Sequence, residues 1–185
     1  MTLPAAVSLV FAMVVAPMNV AVAGFSLRST AFHDQGMLPQ LYSYSQYGCV
    51  GRNISPPLEW TPGPTGTKSY ALTVFDPDAR VGIGWWHWVA FDIPATTDEL
   101  AVNAGVGSGA NLPKGAVQGR NDFQTVGWGG PCPPPGSPHH YIFTLYALDV
   151  DRLDGVSELT AGPTLLKVMK GHVLGQARLT GRFSR

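Results

Sequence analysis

Apolar and polar positions follow strand spacing along several stretches of this chain. Residues 69–75 (SYALTVF) are rich in β-branched and aromatic side chains, which marks a short buried strand. Residues 86–93 (WHWVAFDI) follow a glycine-rich turn and stop at Pro94. Simple alternation puts His87, Val89, Phe91 and Ile93 on one face of that strand and Trp86, Trp88, Ala90 and Asp92 on the other. A third strand spans residues 140–148. Along it His139, Tyr141, Phe143 and Leu145 point one way, and His140, Ile142, Thr144 and Tyr146 the other. From Gln176 onward, Ala177, Leu179, Gly181 and Phe183 alternate with polar residues, predicting a half-buried terminal strand. Phe25 and Leu27 alternate with Ser26 and Arg28 as an edge strand, and residues 53–60 (NISPPLEW) form an extended, proline-stiffened segment. One stretch has helical spacing instead. Residues 163–170 begin with proline, carry an apolar stripe of Leu165, Leu166 and Met169, and end at Gly171, with Val173 positioned to pack on the stripe. The pattern predicts a mostly β domain with one or two short helices and no linker, second domain or repeat.

The N-terminal stretch is different. Residues 5–22 are apolar apart from Ser8 and Asn19, and no charge precedes Arg28. Ala21-Val22-Ala23 has the small-x-small form of a signal-peptidase site. The expectation is a signal peptide over residues 1–23, cleaved between Ala23 and Gly24, and a domain over residues 24–185 in the periplasm or outside the cell. Lys+Arg and Asp+Glu are 12 each, so net charge is zero, which argues against broad binding to nucleic acid or anionic membrane. Charged residues are only 13% of the chain, about half the usual share. The 22 Gly and 16 Pro favour short strands and turns. Two cysteines, Cys49 and Cys132, allow one disulfide in an oxidising compartment, or two separate thiols.

The candidate chemistry sits at strand ends: Asp76 and Asp78 after the first strand, His87 in the second, and His139 with Tyr141 at the third. The last pair follows a rigid loop of residues 129–136 (GGPCPPPG). Imidazoles and a phenol suit phosphate, carboxylate or sulfate oxygens, and backbone N–H groups near Gly129 and Gly130 could add donors. Asp76 could fix a histidine tautomer and favour its cationic form, or accept from a protonated phosphate. Strand parity removes His140 from this set. A zinc site lacks a close His-x-His or His-x3-His pair, and a hydrolase lacks a G-x-S-x-G elbow. Asn53-Ile54-Ser55 matches a glycosylation acceptor.

Four successive motifs, Asp76-Pro77-Asp78-Ala79, Trp86-His87-Trp88, Gly130-Pro131-Cys132-Pro133-Pro134 and His139-His140-Tyr141, resemble those of the phosphatidylethanolamine-binding protein (PEBP) family. Asn53-Ile54-Ser55-Pro56-Pro57-Leu58, Asn121-Asp122-Phe123 and Gly171-His172-Val173-Leu174 are similar to its bacterial YbhB/YbcL, or Raf kinase inhibitor-like, branch. The resemblance implies a β-sandwich of two antiparallel sheets with short peripheral helices. It also implies a pocket for phosphate or phospholipid headgroups, lined by Asp76, His87, His139 and Tyr141, walled by Gly130 and Pro131, and supported by Asp78 and Trp86. It implies a binding protein for a small anionic ligand, such as phosphate or phosphoethanolamine, and not an enzyme, with no cofactor or metal. The alternative is a modulator of another protein, with the pocket vestigial or regulatory. Three positions depart from the pattern: Arg80 replaces a usual proline, Gln124 a usual glycine and Trp128 a common tyrosine.

Overall fold

Strands β4 (Ser69–Asp76), β5 (Trp85–Pro94), β8 (His139–Leu148) and β9 (Val173–Phe183) form the bulk of a six-stranded sheet. With β2 (Gly36–Met37) and β7 (Val117–Gln118) at its edges, the order is β2-β9-β8-β4-β5-β7. A smaller sheet, ordered β1-β3-β6, consists of β1 (Leu27–Arg28), β3 (Leu58–Trp60) and β6 (Glu99–Leu100). Pairings are antiparallel except for the two-residue β2–β9 contact, which is parallel. The computed structural model describes residues 24–80 and 82–185. The signal peptide expected over residues 1–23 lies outside the described residues. Among those described, no helix is long and apolar enough to cross a membrane.

The larger sheet is apolar on both faces because it is covered on both. Leu27, Leu58, Trp60 and Leu100 of the small sheet pack against Trp88, Ala90, Ile93, Phe143, Leu145 and Leu179 of the large one. On the opposite face Ala71, Val89, Phe91 and Leu148 meet Leu165 and Met169 of helix α1 (Gly162–Met169). The helix stripe is narrower than its spacing predicts. Leu165 and Met169, one turn apart, are buried, whereas Leu166 and Val173 are exposed. The parity of β8 and β9 follows simple alternation, with Tyr141, Phe143, Leu145, Ala177, Leu179 and Phe183 all facing the sandwich interior.

In β5 simple alternation fails, and two bulges explain it. Val74 pairs with Trp88 and Phe75 with Trp86, which leaves His87 as an extra residue without a partner on β4. Further along, Leu72 pairs with Ala90 and Tyr70 with Ile93, and Asp92 adopts φ 54°. Each bulge reverses the side-chain parity. Val89 and Phe91 therefore face α1, while Trp88, Ala90 and Ile93 face the small sheet. The first bulge turns His87 toward Tyr141, their ring centroids 5.0 Å apart.

Candidate functional site

The end of β4 and the starts of β5 and β8 lie at one edge of the large sheet, as antiparallel pairing requires. A pocket of about 690 Å³ opens there. Its lining includes Asp76, His87, His139 and Tyr141 from these strands, with Asp78, Arg80, Trp85, Asp122, Phe123 and Gln124 from strand ends and loops.

Asp76 ends β4 and organises the floor. Its Oδ1 accepts the backbone N–H groups of Asp78 at 2.8 Å and Ala79 at 3.1 Å, closing an Asx-type turn. Its Oδ2 accepts from His139 Nδ1 at 2.8 Å. A carboxylate can only accept here, so the Nδ1 of His139 carries the proton. The same turn thus shapes the loop and orients a pocket imidazole.

His87 behaves differently from what an adjacent carboxylate suggests. Its Nδ1 donates to the Gly129 carbonyl, and Gly129 N–H returns a bond to the His87 carbonyl at 2.8 Å. Complete burial pushes the imidazole pKa down to about 4; the Gly129 carbonyl, Asp76 and Asp122 pull it upward and are outweighed. At neutral pH His87 is uncharged, with its proton on Nδ1. The expectation that Asp76 favours a cationic pocket histidine fails at His87, because burial wins. Asp76 pairs with His139 instead.

The Tyr141 side chain is fully buried, and its hydroxyl faces the Asp76 carboxylate without closing a hydrogen bond of ordinary length to any described residue. Burial and then the nearby Asp76 carboxylate push its pKa well above that of an ordinary phenol, so it stays protonated. A buried hydroxyl left unbonded costs about 1–3 kcal/mol.

His140 stays out of the pocket, as strand parity requires, yet it has a place beside it. Its ring Nδ1 and its backbone N–H both donate to Asp78 Oδ2, at 2.8 and 2.7 Å. Burial raises the Asp78 carboxyl, but these bonds and the nearby His139 outweigh it and hold the group below the usual carboxylate range. Asp78 lines the pocket rather than standing behind it.

The wall lies one step further along the chain than Gly130 and Pro131: Cys132, Pro133 and Pro134 face the pocket. Gly130 and Pro131 anchor that wall. Gly130 N–H donates to Asn53 Oδ1 at 2.7 Å, and a Cβ on Gly130 would collide with the Tyr42 carbonyl oxygen. The Pro131 carbonyl accepts from Tyr44 N–H at 2.9 Å. The N–H groups of Gly129 and Gly130 are therefore spent internally and donate nothing to a ligand. Asn53, read in sequence as a glycosylation acceptor, uses its side chain to hold the wall. Trp86 turns away, packing on Phe75 at 4.6 Å and over Gly162. Only its backbone reaches this region, donating to Asp122 Oδ2 at 2.8 Å.

Sequence reasoning missed the aromatic rim. Phe123 stacks on Tyr44 at 4.2 Å and meets Trp85 edge-on at 5.2 Å, and Tyr47 lines the mouth. The Arg80 guanidinium lies 4.2 Å from the Trp85 ring centroid. The signal available in the sequence is the Asn121-Asp122-Phe123 motif. A disulfide joins Cys49 to Cys132 and ties the Tyr47 loop to the wall. Among the described residues, no group of three or more His, Cys, Asp or Glu is placed to hold a metal ion.

A sequence model described as "Phosphatidylethanolamine-binding protein" matches residues 28–184. The chain is 43% identical over 159 residues to UPF0098 protein YbcL of Escherichia coli K12, covering 85% of this chain and 86% of that one. It is 42% identical over 158 residues to UPF0098 protein YbhB of the same organism, covering 85% and 99%. In three dimensions it is similar to the crystal structure of E. coli YbcL, described as a new member of the mammalian PEBP family. There the TM-score is 0.84 at 42% identity, over 88% of this chain and 99% of that one. A putative PEBP homolog from Chlamydia trachomatis gives a TM-score of 0.73 at 34% identity, over 88% and 98%.

Proposed function

Because this chain belongs to the phosphatidylethanolamine-binding protein family, we propose that it is an exported protein that binds a small phosphorylated or otherwise anionic ligand without turning it over. The observation that carries this reading is the Tyr141 hydroxyl. It is buried, stays protonated and, among the described residues, faces the Asp76 carboxylate without closing a hydrogen bond of ordinary length, at a polar floor shared with His87 and the Asp76–His139 pair. A ligand oxygen at that floor satisfies it. Arg80 is the permanent cation among the lining residues and stands at the mouth, placed to draw anions in. The described lining residues include no serine, threonine or lysine and their Cys132 is consumed in a disulfide, so any turnover would fall to the Asp76, His87 and His139 set; the wild type is expected to leave phosphoester substrates intact. Export is supported by the Ala21-Val22-Ala23 pattern and by a disulfide of the kind that persists in oxidising compartments.

Calorimetric titration with inorganic phosphate and with phosphoethanolamine tests the ligand reading. Saturable binding is expected for the wild type and is abolished in the His87→Ala, His139→Ala double variant. A folded wild-type protein that binds neither ligand at any pH contradicts it. Sequencing of the secreted protein is expected to begin at Gly24, and a start at Met1 sinks the expected cleavage between Ala23 and Gly24; absence of the protein from the exported fraction sinks the export claim.

A further inference from the structure

A second cavity, of about 390 Å³, lies on the far side of the Tyr47 loop from the first pocket. Its size falls within the usual range for small-ligand sites. Because β2 and β9 run parallel, the chain after Met37 and the chain after Arg182 leave the sheet side by side. Residues 48–50 cross them and close the cavity. That loop is held firmly. Gly51 N–H donates to the Tyr44 carbonyl, Asn53 N–H donates to the Ser43 carbonyl, and the Cys49–Cys132 bond adds a covalent tie. Tyr47 lines the first pocket, whereas Gly48, Cys49 and Val50 line the second. The walls are largely apolar and come from Met37, Leu38, Val50 and Phe183. Met37 is 48% exposed and Val50 74% exposed, so apolar surface stands open to water at the mouth.

Arg185 is the one charged side chain in the described lining, which holds no Asp, Glu or Lys. Its guanidinium lies against Gly48, where a Cβ would stand 2.9 Å from Nη1. Nη1 donates to the Tyr47 carbonyl at 2.8 Å, which fixes the side chain in place. Nε and Nη2 have no partner among the described residues. Together they form the fork that a carboxylate meets with two parallel hydrogen bonds. Because one nitrogen is already anchored, less side-chain freedom is lost on pairing. The two halves of the cavity set the chemistry of its occupant. A neutral apolar molecule leaves the fork unused, a cation is repelled by it, and a small inorganic anion leaves the apolar walls wet. We propose that this second cavity binds a small aliphatic carboxylate, its alkyl chain against Met37, Leu38, Val50 and Phe183 and its headgroup on the free edge of Arg185. The site shares no lining residue with the first pocket and does not depend on the ligand read there.

Calorimetric titration and methyl NMR on the mature protein, with its disulfide intact and at constant ionic strength, test this with three probes: octanoate, butanoate and octyltrimethylammonium. Each methylene removed from water contributes about fourfold in affinity, so octanoate is expected to bind saturably and at least about tenfold more tightly than butanoate. A partly exposed charge pair contributes up to about fivefold. Octyltrimethylammonium, which swaps attraction for repulsion, is therefore expected to bind at least about fivefold more weakly than octanoate, and Arg185→Gln to weaken octanoate about threefold to fivefold. Val50→Asp, at a position exposed enough to spare the fold, sets a carboxylate against the ligand and is expected to weaken octanoate at least about tenfold. Octanoate is expected to shift the methyl resonances of Met37, Leu38 and Val50. No saturable octanoate binding, a cationic probe within about twofold of octanoate, or an affinity unchanged in both variants overturns the proposal. Shifts at the Ala79 methyl alone place the ligand in the first pocket and overturn it as well.

Discussion

Among the described residues the Tyr141 hydroxyl closes no hydrogen bond of ordinary length, and that separates binding from stability at a single atom. Tyr141→Phe removes an unsatisfied buried group, so the variant is expected to be as stable as the wild type or more stable by up to ~1 kcal/mol in urea denaturation. The same change is expected to weaken phosphate binding about tenfold. A destabilised variant with unchanged affinity would mean that the hydroxyl serves the fold. His87 gives a pH dependence with a definite sign. Its folded pKa, about 4, lies below the ordinary 6.5, so the unfolded chain takes up the proton first. The stabilisation is complete above about pH 6.5 and is lost as pH falls toward 4, a loss of ~3 kcal/mol. His87→Asn is expected to lose ~2 kcal/mol less than the wild type between pH 7 and pH 4.5, and equal losses would contradict the neutral, buried imidazole. Arg80 stands at the mouth with φ 44°. Arg80→Ala is expected to weaken phosphate binding and flatten its salt dependence, read by titration at two ionic strengths.

Elements decide which face a residue takes, and here the sequence was legible only in part. β8 and β9 run without interruption through the site, so alternation placed His139 with Tyr141 and excluded His140 from the pocket. β5 carries two bulges, and no hydrophobic period announces a bulge. Alternation therefore assigned His87 and Val89 to one face, whereas the bulge at His87 separates them. Asp92, a buried carboxylate at φ 54°, marks the second bulge and is held by Leu153 N–H at 2.9 Å. The floor of the pocket was legible because its residues stand at strand ends beside prolines and glycines. The rim was not, because Phe123 and Tyr47 are brought to Trp85, at the start of β5, by loops whose paths no local pattern encodes. The wall shows the same limit. Gly130 is close-packed against backbone rather than open to a ligand. Gly130→Ala is expected to cost about 2–3 kcal/mol in denaturant unfolding, since its Cβ meets the Tyr42 carbonyl. A neutral effect would show that the wall can yield.

Across the whole molecule, two sheets and a helix hold a rigid edge, and one covalent link joins the wall of the pocket to the loop that carries Tyr47. The Cys49–Cys132 bond closes a loop with a sequence separation of 83 residues. Replacing both cysteines with serine is expected to lower stability by ~4 kcal/mol in the chain-entropy picture, measured by denaturation with and without reductant. A wild type indifferent to reductant would contradict that contribution. The mostly β architecture and its relatives follow from the chain as a whole, while the ligand reading rests on a few atoms at one edge of the large sheet. The most direct measurement is a crystal structure of the mature protein grown with saturating phosphoethanolamine. The account predicts the phosphate group on the pocket floor, with one oxygen within hydrogen-bond distance of the Tyr141 hydroxyl. A floor that holds only water at saturating ligand, or a ligand bound elsewhere, would contradict it.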